Sequence, residues 1–188
     1  MGRTVELRKT AIGGGLWLGL LLPVDADDLY ALIAGSARQL SPYLPWVGLV
    51  SSVEDERVFL RDAVHRMADG QAYTVGVWEG ESLAGLVSLD VDQENNSAEL
   101  GYYLGVAFAG RGYMTAAASA VVSWGFSQLG LARIEVHVAV DNQRSRAVCM
   151  RMGLSSEGVA RGAIRLHGRY VDRETFAALA GQWTEPRR

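Results

Sequence analysis

The stretch FAGRGYMTAA, Phe108 to Ala117, places two glycines around an arginine, after an apolar run and ahead of an alanine-rich segment. A glycine-rich loop that leaves a strand and opens a helix presents free backbone N–H groups. The helix dipole adds positive potential, and together they bind phosphate oxygens. Gly110 and Gly112 would let the backbone approach a pyrophosphate, while Arg111 either adds charge or is simply solvated. Two familiar phosphate loops are excluded by spacing. The four residues and the Lys-Ser/Thr pair of a P-loop are absent. A dinucleotide fingerprint needs a third glycine where Thr115 stands, and Glu135 falls too early to bind a ribose. Alone, G-R-G is equally well a tight turn.

A second cluster sharpens the choice. VDNQRSRAVCMRMGL, Val140 to Leu154, follows an alternating run and sets Asn142 three residues before Ser145. Either residue can cap the short helix that follows. Alternatively both face a ligand held between two strand ends, since open parallel sheets bind ligands outside the carboxyl ends of their strands.

The surrounding pattern supplies those strands. LWLGLLL reads as a buried strand, and Asp25 or Asp27 caps a helix through about Ala37. SVEDERVFLRDAVHRMADG has helical spacing, with Gly70 as its stop. AYTVGVW, LAGLVSLDV and SAELGYYLGVAF read as strands separated by EGES and QENN turns. Gly112 to Leu129 is an apolar helix, and ARIEVHVAV alternates as a strand. Strand, glycine loop, helix and strand in that order make a βαβ crossover. RSRAVCMRMG is a short helix, and the tail makes two strands around a His167-Gly168 turn. The expected architecture is α/β on one mixed sheet, in a single domain over residues 1–188.

Composition narrows the function. The net charge of −3 argues against a general nucleic-acid binder, which needs a basic surface. One cysteine, Cys149, excludes an intrachain disulfide framework and a multi-cysteine metal site, and fits a reducing cytoplasm. Ala11 to Ala26, after Arg8 and Lys9, resembles a signal peptide. Four glycines in the run, Glu6 ahead of it and the helix start behind it favour a first strand leading into a helix. The uncharged part is too short to span a bilayer. MGRTVE carries Glu6 where a myristoylation signal needs Ser or Thr.

Taken together, Glu99 to Leu154 resembles the GNAT family of acyl-CoA-dependent N-acyltransferases, and within it the RimJ/RimL-type branch that acetylates ribosomal-protein N-termini. The family's Q/R-x-x-G-x-G/A motif is matched by Ala109-Gly110-Arg111-Gly112-Tyr113-Met114, with departures at Ala109 and Met114. AELGYYL, DNQRSRAVCMRMGL, SEGVAR, HGRYVDRETFAAL and RQLSPYLPW resemble further segments of that branch in the right order, so the likeness runs from about Leu16 to Leu179. It implies a central sheet of about seven strands with a splayed parallel pair, flanked by about four helices.

The resemblance also implies a chemistry: acetyl transfer from acetyl-CoA to a primary amine such as a protein N-terminus, by direct attack, with no metal. Backbone groups of Leu104, Gly105 and Val106 would hold the pantetheine arm, and Ala109 to Thr115 the pyrophosphate. Asn142 would bind the pantetheine region, and Ser145 would protonate the leaving thiolate. Positioning supplies about 7–11 kcal/mol at best, and the Val106 N–H is the expected oxyanion donor. Glu99 is the first candidate base if it is buried with a raised pKa, and Glu157 the second. His65, His137 and His167 read as surface or turn residues, His137 because it shares a face with Arg133 and Glu135. Trp46, Tyr102 and Tyr103 either line the acceptor groove or pack the core. A small-molecule amine acceptor, a succinyl-CoA donor and a CoA-binding module without turnover are the alternatives. A homodimer is left open, and no membrane partner is expected.

Overall fold

The computed structural model describes residues 10–186; the MGRTVE start lies outside them. The chain opens with a hairpin, β1 (Thr10–Gly13) and β2 (Leu16–Leu20). Its turn is made by Gly14 and Gly15 at φ of 62° and 77°, a region that costs residues with a Cβ about 1–2 kcal/mol. Of the four glycines that interrupt this apolar run, Gly14 and Gly15 therefore make a turn between two strands, while Gly13 ends β1 and Gly19 lies inside β2. The extra strand, β1, raises the sheet from the expected seven or so to eight. Ala11 to Ala26 thus holds most of that hairpin and the first residue of the next helix.

That helix is α1 (Ala26–Leu40), longer than expected. Asp25 stands at its N-cap without bonding the helix; its carboxylate accepts the Leu22 N–H at 2.8 Å instead. α2 (Val53–Ala68) is capped reciprocally by Ser52 and Asp55. Gly70, at φ 68°, follows it. β3 (Ala72–Glu79), β4 (Ser82–Asp92) and β5 (Ser97–Leu104) form an antiparallel meander. β5 ends earlier than the apolar run, because Val106–Phe108 turns into a 3₁₀ helix. α3 (Tyr113–Trp124) gives way to a π-helical turn, Gly125–Leu129. At Gly125 the helix packs tightly on the sheet: an added Cβ would lie 2.9 Å from the Ile134 side chain. β6 (Arg133–Ala139), α4 (Gln143–Met152), β7 (Ser155–Leu166) and β8 (Arg169–Leu179) complete the fold. The β7–β8 turn sets His167 at φ 48° and Gly168 at φ 81°, the pair of positive values that a two-residue hairpin turn favours.

The sheet order is β1-β2-β3-β4-β5-β6-β8-β7. α3 and α4 cover one face, over a core that includes Leu89, Leu100, Val122, Ile134, Cys149 and Met152. α1 and α2 cover part of the other, over Leu29, Ile33, Leu60 and Leu86. The feature that positions the site is a short pairing. β5 and β6 run parallel, but only Ser97↔Arg133, Ala98↔Ile134 and Glu99↔Glu135 are in register. Past Glu99, β5 continues to Leu104 and β6 to Ala139 without pairing to each other. The expected parallel crossover is present, and its two strands splay at their carboxyl ends.

Candidate active site

Each splayed strand runs into a strand-to-helix junction, and the two junctions differ. At the first, Gly110 and Gly112 have φ of 81° and 78°, and a Cβ on either would meet nothing within 4 Å. Gly112 is the N-cap of α3 and supplies no side-chain bond. The N–H groups of the first turn, Tyr113 to Thr115, are therefore not capped by a side chain, and a helix start of that kind accepts anions. Ala109 is exposed, whereas the Met114 side chain is buried in the core, so at Met114 only the backbone is available. Arg111 is neither loose nor simply solvated. Its guanidinium lies 3.3 Å from Glu79 at the end of β3 and over the rings of Phe108 and Tyr113. The Tyr113 hydroxyl donates to the same carboxylate. Thr115 accepts from Arg151 Nε of α4 at 3.1 Å. Glu79 and Arg151 were missed in the sequence, where one sits at a turn and the other inside a helix.

At the second junction the Asn142 side chain accepts the Ser145 N–H at 3.2 Å, so Asn142 caps α4. The Ser145 hydroxyl lies 2.9 Å from the Tyr102 hydroxyl, which reaches across from β5. The same phenol donates to the Ser145 carbonyl at 3.2 Å and lies 3.4 Å from the Cys149 sulfur. Burial is the main cause that pushes the Tyr102 hydroxyl well above the usual tyrosine range. Burial also pushes the Cys149 thiol up to about 11, so that thiol is inert and space-filling.

Tyr102 and Tyr103 do not share a groove. Successive strand side chains point to opposite faces. Tyr102 joins the α3/α4 side, whereas Tyr103 packs with the α1/α2 cluster beside Trp46, their ring centroids 5.5 Å apart. Next to them is a residue the sequence did not mark. Glu56 of α2 is only 3% exposed, and burial followed by the Asp55 charge pushes its carboxyl up to about 6. Burial and the Glu56 charge in turn push the Tyr103 hydroxyl up.

Two expectations change with the geometry. The Val106 N–H donates to the buried Ser36 hydroxyl at 3.0 Å, so it is not a free oxyanion donor here. Gly105 N–H donates to Ala84 in β4 at 2.8 Å. Strand alternation then turns the Leu104 N–H the other way, into the gap beside β6. Glu99 is not buried: its side chain keeps 52% of its exposure, 3.3 Å from His137 Nδ1. His137 Nε2 lies 3.0 Å from Glu135, and Arg133 ties Glu135 to Glu157. The face that His137 shares with Arg133 and Glu135 is thus a paired polar surface, as its alternation predicts. His167 Nε2–H donates to the Ser41 carbonyl at 2.7 Å, and Tyr43 donates to the Asp141 carbonyl at 3.2 Å. The α1–α2 loop is thereby pinned to the hairpin turn on one side and to the second junction on the other.

A splayed parallel pair, an uncapped glycine-led helix start on one arm and a part-buried hydroxyl pair on the other define an acyl-transfer fold. Residues 16–155 match the Acetyltransferase (GNAT) domain family, and the chain belongs to it. Like its relatives it is an N-acetyltransferase. It is 34% identical over 166 residues to YdaF of Bacillus subtilis (strain 168), provisionally named a ribosomal N-acetyltransferase, covering 87% of this chain and 91% of that one. It is 30% identical over 153 residues to the ribosomal-protein-serine acetyltransferase of Escherichia coli (strain K12), covering 80% and 85%. Among solved structures, RimL, a ribosomal-protein α-N-acetyltransferase in complex with coenzyme A, superposes with a TM-score of 0.87 at 25% identity, covering 92% of this chain and 98% of RimL. Among the described residues no helix is long and apolar enough to cross a membrane.

Proposed function

We propose that the chain is one acyltransferase domain that takes acetyl-CoA as donor and acetylates the α-amine of a protein N-terminus, of the ribosomal-protein kind. The observation that carries the reading is the gap beyond Glu99 and Glu135, flanked by the uncapped start of α3 and by Ser145. The pyrophosphate lies on the N–H groups that follow Gly110 and Gly112, with Arg111 beside it. The pantetheine arm runs between β5 and β6, where Leu104 offers backbone groups and Asn142 keeps an amide nitrogen not used in capping. The amine enters from the Trp46 and Tyr103 side. It attacks the thioester carbonyl, whose oxygen takes the Leu104 N–H, and the C–S bond breaks with the electron pair on sulfur. The amine proton leaves through water, with Glu99, exposed on the same face of β5 as Tyr103 rather than buried, as the carboxylate on that path. The single free thiol, buried, suits a cytoplasmic protein.

The test is mass spectrometry of acetyl transfer and CoA release against peptides with free N-termini, small-molecule amines and polyamines, with acetyl-CoA and succinyl-CoA as donors. Acetylation of N-terminal peptides above the small amines is the expected result. Preference for a small amine or for succinyl-CoA overturns the acceptor or the donor. Binding of acetyl-CoA without transfer to any amine leaves a CoA-binding module.

A further inference from the structure

The hydroxyl pair at the second junction has a more specific consequence. Ser145 is held twice: its N–H by the Asn142 side chain at 3.2 Å, and its hydroxyl by Tyr102 at 2.9 Å. Tyr102 comes from β5 and Ser145 from α4, so this contact bridges the two arms of the splay on the α3/α4 side. A serine hydroxyl is far less acidic than a thiol, whose ordinary pKa is about 8.5. Full transfer of the serine proton to a CoA thiolate is therefore uphill. A hydrogen bond from Ser145 to the departing sulfur costs nothing of that kind, provided its single hydrogen is aimed at the sulfur.

We propose that Tyr102 is a positioning residue that donates its O–H to Ser145 Oγ and so directs the Ser145 O–H onto the leaving sulfur. The inference rests on the acyl-CoA reading above. As the C–S bond breaks and its electron pair moves to sulfur, the chain Tyr102 O–H, Ser145 O–H, thiolate forms without moving either hydroxyl proton. The thiolate is protonated afterwards by the proton released from the amine or by solvent. Donors in such a chain polarise one another and strengthen the terminal bond. The Ser145 carbonyl also accepts from the phenol at 3.2 Å, so the one phenol hydrogen is shared between the carbonyl and Oγ of the same serine; the Cys149 thiol and the Arg151 charge face it as well. Burial keeps the phenol protonated, so it stays a donor throughout the working pH range.

The experiment needs no acceptor. CoA itself is the probe, and its thiol is titrated by ultraviolet thiolate absorbance when free and when bound to excess enzyme. Enzyme without CoA is titrated in parallel and subtracted, which removes the background of the buried Cys149 thiol, pushed up to about 11, and of the seven tyrosines. Bound to the wild type, the CoA thiol should ionise about 10-fold more readily than free CoA, the size expected of a hydrogen bond to a charged group. Tyr102→Phe, which keeps the ring, and Ser145→Ala should each remove most of that shift, with CoA affinity changed less than 2-fold or so. The double variant should lose no more than Ser145→Ala alone. Equal shifts in wild type and Tyr102→Phe, or an additive double variant, overturn the proposal while leaving the CoA site intact. Failure of the wild type to bind CoA overturns the site and this proposal together.

Discussion

The two strand-to-helix junctions at the ends of β5 and β6 solve the same problem in opposite ways. Each must deal with the unpaired N–H groups of a helix start. At α4 the chain supplies its own acceptor, the Asn142 side chain. At α3 the N-cap is Gly112, which has no side chain to offer. Closing one helix start internally fixes Ser145, while leaving the other open keeps a dipole end for an anion. The same contrast recurs among buried carboxylates. Glu174 is satisfied by Arg146 Nε at 2.6 Å and the Ser156 hydroxyl at 2.7 Å, and the hydrogen bond from Ser156 leads in holding its carboxyl low. Glu56 is buried beside Tyr103 with its carboxyl raised.

The contrast is tested most strongly at Gly112. Aspartate tolerates a positive φ, so Gly112→Asp should fold, yet it sets a negative charge at the open helix start. CoA affinity by calorimetry should fall about 100-fold, which is about 2.7 kcal/mol. Unchanged affinity would place the pyrophosphate elsewhere.

Glu56 gives the next largest effect. A carboxyl raised from 4.5 to about 6 in the fold keeps its full stability contribution below 4.5. That contribution is lost as pH rises through 6, because the buried group must then ionise. Glu56→Gln should therefore match the wild type at acidic pH and be more stable above neutrality by about 2 kcal/mol, read by denaturant unfolding. A stability gain that does not vary with pH would contradict this account.

At the closed junction, Asn142→Ala should cost about 1 kcal/mol of stability, the usual price of an N-cap. CoA affinity should suffer much less than in Gly112→Asp. If affinity falls just as far, Asn142 is chiefly a ligand and the two junctions are alike. The smallest expected change is at Glu79, whose carboxylate holds Arg111 and Tyr113 beside the open helix start. Glu79→Gln should tighten CoA binding about 3-fold at low salt, by removing a like charge and freeing Arg111. Weaker binding instead would mean that Glu79 is needed to orient Arg111.

Several of these features were readable in the sequence because they are local. The apolar periods placed the helices and most strands, and the glycines around Arg111 marked a helix start without a cap. Asn142 and Ser145 were legible as a pair because a cap and its N3 partner stand a fixed three residues apart. β1 was missed because a strand this short, Thr10–Gly13, carries little periodic signal. Glu56 was missed because a glutamate in a helix is ordinarily exposed. Alternation could have separated Tyr102 from Tyr103, but not said which of them would meet a helix bearing Ser145.

What the sequence determined by itself was the order of elements, the open helix start and the family to which they belong, since each depends on residues close together in the chain. Only the tertiary structure decided which polar atoms are already spoken for. Ser36 takes the Val106 N–H across 70 residues, Glu79 takes Arg111 across 32, and Tyr102 meets Ser145 across 43. Hydrogen-bond partners are set by distances of a few ångströms in space, and pairs so far apart in the chain leave no periodic trace along it.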